Sequence, residues 1–252
     1  MRYIRLALEE HVYQRLYELE DGHWWFRGRR AVLWALIARG GTEARAPRIL
    51  DAGCGTGRNL VEFSVLGPAQ GIEPSSEAVA FCRRRGLEGV TEAGLEALPF
   101  ADDAFDLLLA CDVLEHVERD DDALRELLRV AAPGARLVIT VPAYRWLRSA
   151  HDESHHHFRR YTLGGLRDRV AGAGWRPVVS TYFNSVLLPP IAAVRTLSRA
   201  LGGDENGTSD YDRAPAGLNR VLEQPMRAEA RAIRRGARLP AGVSVGMVST
   251  PA

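Results

Sequence analysis

The densest group of titratable side chains in the chain is the segment HDESHHHFRRY, residues 151–161. An imidazole can accept a proton near neutral pH, hold a substrate by a hydrogen bond, or bind a metal ion. We predict that His151 and His157 are catalytic, one of them as a general base or as a group that positions the substrate. Asp152 is predicted to orient a ring or the substrate.

The remaining histidines of this segment are expected to face solvent, with Tyr161 packed beneath the loop. Adjacent residues in an extended loop alternate in direction, so His155, His156 and His157 cannot easily converge on one ion. Arg159 and Arg160 add positive charge that repels a cation and suits an anionic or oxygen-rich substrate. We therefore predict no metal site in this segment.

A second segment whose residue types indicate ligand binding is ILDAGCGTGRN, residues 49–59. Its glycines, Gly53, Gly55 and Gly57, let the backbone turn sharply and let a ligand approach the start of a helix. Glu73 closes the next predicted strand, where a carboxylate can accept both hydroxyls of a ribose. A dinucleotide fingerprint would require glycine at position 58, which is Arg58. The spacing therefore disfavours a nicotinamide enzyme.

The elements that must position these residues alternate along the chain. Short apolar runs, RILDAG, AQGIEP, FDLLLACD and ARLVITVP, are separated by segments with helical spacing, as in βαβ units. The predicted fold class is α/β: a Rossmann-like, doubly wound, mostly parallel sheet in one domain, 1–252. Residues 1–45 are predicted as an N-terminal helical lid, 46–183 as a cofactor-binding core, and 184–252 as C-terminal helices with an edge strand.

The flanking segments carry more local predictions. Two helices are expected between Leu6 and Gly40, interrupted near Asp21, and another from Leu218 to Arg235. Residues 202–215 are expected to form a polar loop. The run from Val186 to Leu201 is too short and too interrupted by charge to span a bilayer, and it is expected to cover a core or a homodimer face.

Composition excludes some classes of partner. The chain has 33 basic and 32 acidic residues, so no overall field favours nucleic acid. Three cysteines without CxxC spacing favour a reducing, cytoplasmic location over a disulfide framework. The predicted partner is a small molecule, and a lipid-linked molecule is a weaker alternative.

Four motifs in order resemble the class I S-adenosylmethionine-dependent methyltransferases, in particular the methyltransferase type 11 group. They are LDAGCGTGRN, GIEPS, LEALPFADDAFDLLLACDVLEHV and PGARLVITVP, and they extend from about residue 48 to residue 142. The resemblance implies S-adenosyl-L-methionine as cofactor. It places the methionine end on the loop of Gly53, Gly55 and Gly57, with Asp51 near its amino group and Glu73 at the ribose.

The same resemblance implies roles on the next motif. Many relatives carry an aspartate for adenine where this chain has Gly94, so the neighbouring Leu95 is the predicted adenine contact. Asp112 is predicted to border the point of methyl transfer. Asp112, Glu115 and His116 resemble a trio that is associated with a divalent cation in ubiquinone-biosynthesis O-methyltransferases. We favour a structural turn there, with a metal as the alternative.

The flanks are predicted to hold the methyl acceptor. HWWFRGRR, residues 23–30, resembles an aromatic lid, in which Trp24, Trp25 and Arg27 contact the substrate. Either Arg27 or Arg30 could pair with the cofactor carboxylate. A bacterial subgroup with a similar H-D and R-R-Y series adds Arg159 and Tyr161 as substrate contacts.

The predicted function is methyl transfer from S-adenosylmethionine to a small or medium-sized acceptor, with a hydroxyl oxygen preferred. An electrophilic sulfonium requires alignment of nucleophile, methyl carbon and sulfur, and a hydroxyl also requires a base. Methyl transfer to nitrogen or carbon, or noncatalytic cofactor binding, are the alternatives.

Overall fold

The computed structural model describes residues 10–42, 44–200 and 216–252. The predicted polar loop, residues 202–215, lies outside the described residues. The two predicted N-terminal helices are present, one on each side of Asp21, and the helix predicted near the C-terminus is present as well.

Seven strands form one sheet over the described part of the chain. They are β1 (Ile49–Ala52), β2 (Ala69–Glu73), β3 (Val90–Glu92), β4 (Phe105–Cys111), β5 (Ala131–Pro142), β6 (Trp175–Phe183) and β7 (Ser244–Pro251). Their order is β3-β2-β1-β4-β5-β7-β6. Strands β1 to β5 pair in parallel, and β7 is antiparallel to both of its neighbours. The predicted fold class, a mostly parallel Rossmann-like sheet, is confirmed.

The predicted position of the last strand at the sheet edge is wrong. Strand β7 lies between β5 and β6, and β6 forms the edge. All residues of β7 from Ser244 to Thr250 are buried, on both faces of the sheet. Such a strand leaves neither its side chains nor its backbone groups to solvent, so it is stable only with a partner on each side.

Nine helices pack around this sheet in the described residues. They are α1 (Glu10–Leu19), α2 (Trp24–Gly40), α3 (Arg58–Phe63), α4 (Ser76–Arg84), α5 (Asp120–Arg129), α6 (Ala150–Ser154), α7 (Leu163–Gly172), α8 (Leu188–Ala200) and α9 (Asn219–Arg234). Two apolar cores result. One includes α5 and α7, and the other includes α2 and α9. The sheet is therefore covered on both faces.

Helices α2 and α9 approach closely because α2 carries a glycine at their contact. A Cβ atom on Gly28 would lie only 2.7 Å from Sδ of Met226. Met226 is fully buried, so the side chain has little room to move. This contact fixes the C-terminal helix beside the N-terminal one.

Helix α8, which was predicted to cover a core or a homodimer face, presents part of its apolar surface to solvent in the single chain. Val194 and Leu197 are 51% and 60% exposed. In the described part of the chain, no helix has the length and apolar character needed to cross a bilayer.

Four strands are followed at their carboxyl ends by residues with left-handed backbone angles. These residues are Gly53 after β1, Asp112 after β4, Tyr144 shortly after β5 and Asn184 after β6, with φ between 56° and 76°. Such angles turn the chain sharply away from the strand direction. The carboxyl edge of the sheet is consequently left open as a cleft.

Replacement of a fully buried leucine of α2 tests the packing of this helix on the sheet. Leu36 has no exposed surface and belongs to the core that includes β7. We expect Leu36→Ala to lower the free energy of unfolding by about 2–5 kcal/mol, measured by urea denaturation. The matched control, Leu197→Ala on α8, is expected to change it by less than about 0.5 kcal/mol. Equal effects of the two variants would contradict this packing.

Candidate functional site

A cavity of about 1330 Å³ lies at the carboxyl edge of the sheet. Its walls come from α1 and α2, from the glycine loop after β1, from the turn after β4, from the segment that follows α6, and from α8. Ligands of doubly wound folds bind at this edge. The cavity therefore joins the glycine loop and the histidine-rich segment, which are almost 100 residues apart in the sequence.

The glycine loop has the geometry that its sequence predicts. Gly53, Gly55 and Gly57 have φ angles of 76°, 54° and 85°, which glycine adopts without strain. A Cβ on Gly53 would contact Val113 at 2.6 Å, and one on Gly57 would contact Leu87 at 2.5 Å. A Cβ on Gly55 would meet nothing within 4 Å. Gly55 thus presents bare backbone to the cavity, whereas Gly57 lies against protein.

Glu73 is held at the end of β2 beside this loop. The amide of Gly55 donates to Oε2 at 2.9 Å, and the amide of Ser75 donates to Oε1 at 3.1 Å. Burial raises the pKa of Glu73 to about 7, although these two hydrogen bonds partly offset it. The carboxylate lines the cavity and has remaining lone pairs for the hydroxyls of a ribose.

Asp51 lies behind the loop, inside β1. Both of its carboxylate oxygens are buried and have no hydrogen-bond partner among the described residues. Burial raises the pKa of Asp51 to about 7, and the guanidinium of Arg29 opposes that rise. A buried carboxylate without a partner is costly, so a bound cationic group would stabilise it. The amino group of a cofactor methionine has the charge this position requires.

Leu95 and Asp112, two further predicted cofactor residues, line the cavity, whereas Asp51 lies behind its wall. Leu95 is buried in the apolar core and presents an apolar wall. The Asp112 carboxylate forms an ion pair with Arg29 of α2 and accepts a hydrogen bond from the Thr140 hydroxyl. Arg29 was not among the predicted site residues, yet it is the arginine of HWWFRGRR that faces the cavity.

Helix α1 is fastened to the glycine loop by a buried carboxylate. Glu20 accepts a short hydrogen bond from the Thr56 hydroxyl and pairs with Arg85 at 3.1 Å. Tyr13 of the same helix donates a long hydrogen bond of 3.5 Å to Glu73. Burial raises the pKa of Glu20 despite the hydrogen bond from Thr56 and the nearby arginines. The N-terminal helix therefore covers the ribose side of the cavity.

Of the predicted lid residues, Trp24 and Trp25 line the cavity. Arg27 does not: its guanidinium pairs with the buried Glu223 of α9 at 3.1 Å. The prediction that Arg27 contacts the substrate is therefore wrong, because its side chain connects α2 to α9. Arg30 is buried beside Glu62, and burial lowers its pKa to about 10.

Three titratable side chains meet on the acceptor side of the cavity: Glu115, His116 and His157. We call them the acid–histidine cluster. One ligand atom from each lies within 4.8 Å of the others. The rings of His116 and His157 are perpendicular, with centroids 4.5 Å apart. Burial, followed by the neighbouring histidines, lowers the pKa of His116 to about 3, so its ring is neutral at physiological pH.

Asp152 orients His157, as the sequence suggested. Its Oδ1 lies 2.8 Å from Nδ1 of His157, and Arg160 donates to both carboxylate oxygens at 2.7 and 2.9 Å. Burial alone would raise the pKa of Asp152, but the hydrogen bonds from His157 and Arg160 outweigh it and lower that pKa far below its ordinary value. Asp152 is thus a permanent anion, which fixes the ring of His157.

Two predicted substrate residues, Arg159 and Tyr161, do not line the cavity and are corrected to structural roles. Arg159 donates to the carbonyls of Val117 and Glu118 and pairs with Asp120. Tyr161 is buried, as expected, and its hydroxyl donates to Asp120 at 2.7 Å. The buried carboxylate of Asp120 draws both side chains away from the cleft.

The histidines of this segment alternate in direction. His156 is exposed, as predicted, and its φ of 54° turns the chain so that both neighbours point inward. His155 is buried and lines the cavity, so the prediction that it faces solvent is wrong. Position 151 lies in α6, but the side chain of His151 is outside the described residues.

Comparison with known proteins agrees with this geometry. A family model described as a methyltransferase domain, Methyltransf_11, matches residues 50–139. An uncharacterized methyltransferase of Mycobacterium tuberculosis is 35% identical over 162 residues, which cover 61% of each chain. Norajmaline N-methyltransferase of Rauvolfia serpentina is 37% identical over 106 residues, 38% of this chain and 36% of that one. The chain therefore spans less than two thirds of either relative.

A solved structure is similar over almost the whole length. A SAM-dependent methyltransferase of Thermotoga maritima superposes with a TM-score of 0.61, covering 96% of each chain at 18% identity. Residues 50–139 form a methyltransferase domain of the type 11 family, and together with the relatives this match supports a class I S-adenosylmethionine-dependent methyltransferase. The predicted family is thus confirmed.

Several residues that line the cavity of this methyltransferase were not predictable from motifs. Arg29 is one of three arginines in HWWFRGRR, and only the rotation of α2 distinguishes it from Arg27 and Arg30. His155 was hidden among adjacent histidines. The sequence did contain one signal for this side of the cavity, the pair Glu115 and His116. The pair follows β4, and the carboxyl end of such a strand lies at the ligand-binding edge of the sheet.

Removal of the Glu73 carboxylate tests the cofactor side of the methyltransferase. We expect Glu73→Ala to weaken binding of S-adenosylhomocysteine by about 1.5–3 kcal/mol, because the ribose hydroxyls lose a charged acceptor. Isothermal titration calorimetry measures this change. Glu88→Ala, an exposed glutamate outside the cavity, is the matched control and is expected to bind as tightly as the unaltered protein. Unchanged affinity in Glu73→Ala would remove Glu73 from the site.

The raised pKa values of Glu73 and Asp51 predict that cofactor affinity depends on pH. Both groups have a pKa of about 7 before the ligand binds, and both bind it as carboxylates. Tyr13 and the amides of Gly55 and Ser75 donate hydrogen bonds to Glu73. The charges of Arg29 and Glu20 respectively lower and raise the pKa of Asp51. Affinity for S-adenosylhomocysteine is therefore expected to fall as the pH is lowered from 8 to 6, by about tenfold for each carboxylate that must ionise. A flat profile in calorimetry would contradict this.

Proposed function

We propose that this methyltransferase transfers the methyl group of S-adenosyl-L-methionine to a hydroxyl oxygen of a small or medium-sized acceptor. The observation that supports this proposal is the acid–histidine cluster, which faces the same cavity as the glycine loop. A hydroxyl is a weak nucleophile that needs activation, and this cluster supplies a carboxylate and two imidazoles for that purpose.

The residues present fit the proposed cofactor. The buried oxygens of Asp51 call for a cationic group, Gly55 leaves space for a ligand against the backbone, and Glu73 offers acceptors for a ribose. Leu95 supplies an apolar wall for an aromatic ring. When bound, S-adenosylmethionine supplies an electrophilic methyl group on a positively charged sulfur.

In the proposed reaction the acceptor oxygen attacks the methyl carbon opposite the sulfur. The new O–C bond forms as the C–S bond breaks, and its electron pair remains on sulfur, which becomes a neutral thioether. The hydroxyl proton leaves the acceptor. His157 is proposed to act here as the general base or as the group that positions the hydroxyl, with its ring fixed by Asp152.

The acceptor is proposed to have an apolar part. Trp24 and Trp25 line one wall of the cavity, and Leu187, Ile191 and Val194 at the start of α8 line another. Aromatic and aliphatic side chains exclude water from the reacting groups. The predicted homodimer, the lipid-linked acceptor and the cytoplasmic location stay predictions.

The function is tested by supplying methyl-labelled S-adenosylmethionine, cell extract and the protein, followed by mass spectrometry of the products. We expect a labelled product whose methyl group is on oxygen. A label on nitrogen or carbon would contradict the proposed acceptor atom, and cofactor binding with no labelled product would favour a noncatalytic role.

Single alanine variants of the histidine-rich segment test the role of His157. With an acceptor identified, we expect His157→Ala to lower turnover by about two to four orders of magnitude, with the affinity for S-adenosylhomocysteine nearly unchanged. His156→Ala is the matched control, because its side chain is exposed, and it should retain turnover. His151→Ala tests the second predicted candidate. Full turnover in both the His151 and His157 variants would exclude the assignment.

A further inference from the structure

We propose that the acid–histidine cluster, Glu115, His116 and His157, binds one divalent transition-metal ion beside the methyl-transfer site. Its three ligand atoms lie within 4.8 Å of one another in a cavity wall. Ligand atoms around one ion lie about 3–3.5 Å apart, since each is about 2.0–2.2 Å from the metal. Binding of an ion would therefore draw the three ligand atoms closer together.

The types of ligand select the class of metal. Two imidazoles and one carboxylate suit Zn²⁺, Fe²⁺, Co²⁺ or Mn²⁺, whereas Mg²⁺ and Ca²⁺ prefer oxygen alone. The set comes from two separate segments, the turn Leu114–His116 after β4 and the segment after α6. These segments are tied together by the amide of Phe158, which donates to the carbonyl of Glu115 at 2.8 Å.

Glu115 provides an observation that is independent of this clustering. The residue is 1% exposed, and its Oε2 atom has no hydrogen-bond partner among the described residues. An anion in such a position is destabilised by several kcal/mol relative to water unless a positive charge compensates it. A bound cation would supply the missing compensation.

Both imidazoles are oriented by a hydrogen bond behind the ring, which is typical of histidine ligands. Asp152 holds Nδ1 of His157. The ring of His116 is hydrogen-bonded to the backbone of His155. Each ring is therefore held in place by the protein.

The nearby arginines do not oppose a cation, contrary to the expectation from sequence. Arg160 forms a two-pronged pair with Asp152, and Arg159 pairs with Asp120. Arg160 is thus compensated by Asp152, while Arg159 shares Asp120 with Arg169 and is directed away from the cavity. The expectation from sequence assumed that the positive charges of Arg159 and Arg160 were not compensated by nearby carboxylates.

The proposed ligand set differs from the trio suggested by resemblance. Asp112 is paired with Arg29 and hydrogen-bonded to Thr140, and its left-handed backbone takes it out of the turn that contains Glu115 and His116. It cannot share one helical face with them. His157, which is more than 40 residues further along the chain, completes the site instead.

The role of the ion rests on the proposed function. A hydroxyl oxygen bound to a divalent metal ionises near neutral pH, and its proton passes to water. The resulting oxygen is held at a fixed position for attack on the methyl carbon. His157 was proposed above either as the general base or as the group that positions the acceptor. As a metal ligand it would have the second role, because it would position the acceptor through the ion.

Metal binding is tested on the full-length protein after treatment with EDTA. We expect one Co²⁺ per chain, seen as visible d–d absorption, and one Zn²⁺ by calorimetry. Glu115→Gln and His157→Ala should weaken binding by about 100-fold or more, and Asp152→Asn by about 10–100-fold. His156→Ala, the adjacent exposed histidine, is expected to bind as the unaltered protein does. Circular dichroism and binding of S-adenosylhomocysteine verify the fold of each variant.

The outcomes separate this inference from the proposed function. Absence of Co²⁺ and Zn²⁺ binding, or binding that is equal in Glu115→Gln, His157→Ala and the unaltered protein, would overturn the metal site. If methyl transfer to oxygen then continues in EDTA, the proposed function stands without it. Stoichiometric binding at the cluster with no methylated product would instead support the metal site and contradict the function.

Discussion

The cleft depends on one backbone constraint, the left-handed turns at the carboxyl ends of four strands. Such angles are unstrained in Gly53, but they cost free energy in Asp112, Tyr144 and Asn184, about 1–2 kcal/mol for a residue with a Cβ. Hydrogen bonds that bridge neighbouring elements hold them: the amide of Asp112 donates to Thr140 at 2.8 Å, and that of Tyr144 donates to Tyr161 at 2.8 Å. The sheet therefore stores strain where ligands bind.

This constraint explains which chemistry the cleft can hold. Each sharp turn stops the strand and redirects the chain across the sheet edge, so that side chains distant in sequence face each other. Glu115 leaves β4 by such a turn, and His157 returns to the edge after α6. The buried Asp152 then fixes the ring of His157 by a hydrogen bond. Because Asp152 is paired with Arg160, its charge is compensated inside the protein, and its hydrogen bond to His157 does not depend on ligand.

Much of this arrangement could be predicted from sequence, and the rest fails for identifiable reasons. The glycine loop and Glu73 were predictable because backbone geometry there requires particular residue types. The position of β7 was not, since local patterns do not encode strand order. The predicted substrate contacts of Arg27, Arg159 and Tyr161 were wrong. The motifs place these charged and aromatic residues near the site, but they do not show the direction of the side chains. Their partners, Glu223 and Asp120, lie far away in the sequence. The division into lid, core and C-terminal part stays a prediction.

The contact between Glu20 and Thr56 links the position of α1 to the binding of a proton. Glu20 has a raised pKa because α1 buries it against the glycine loop, and in water that pKa would return to its ordinary value. Lifting α1 from the loop therefore releases protons in the pH range between the two values. Within that range, more alkaline solutions favour the lifted helix and more acidic ones favour the covered cleft. Any displacement of α1 from the loop would therefore be coupled to the protonation of this one carboxyl group.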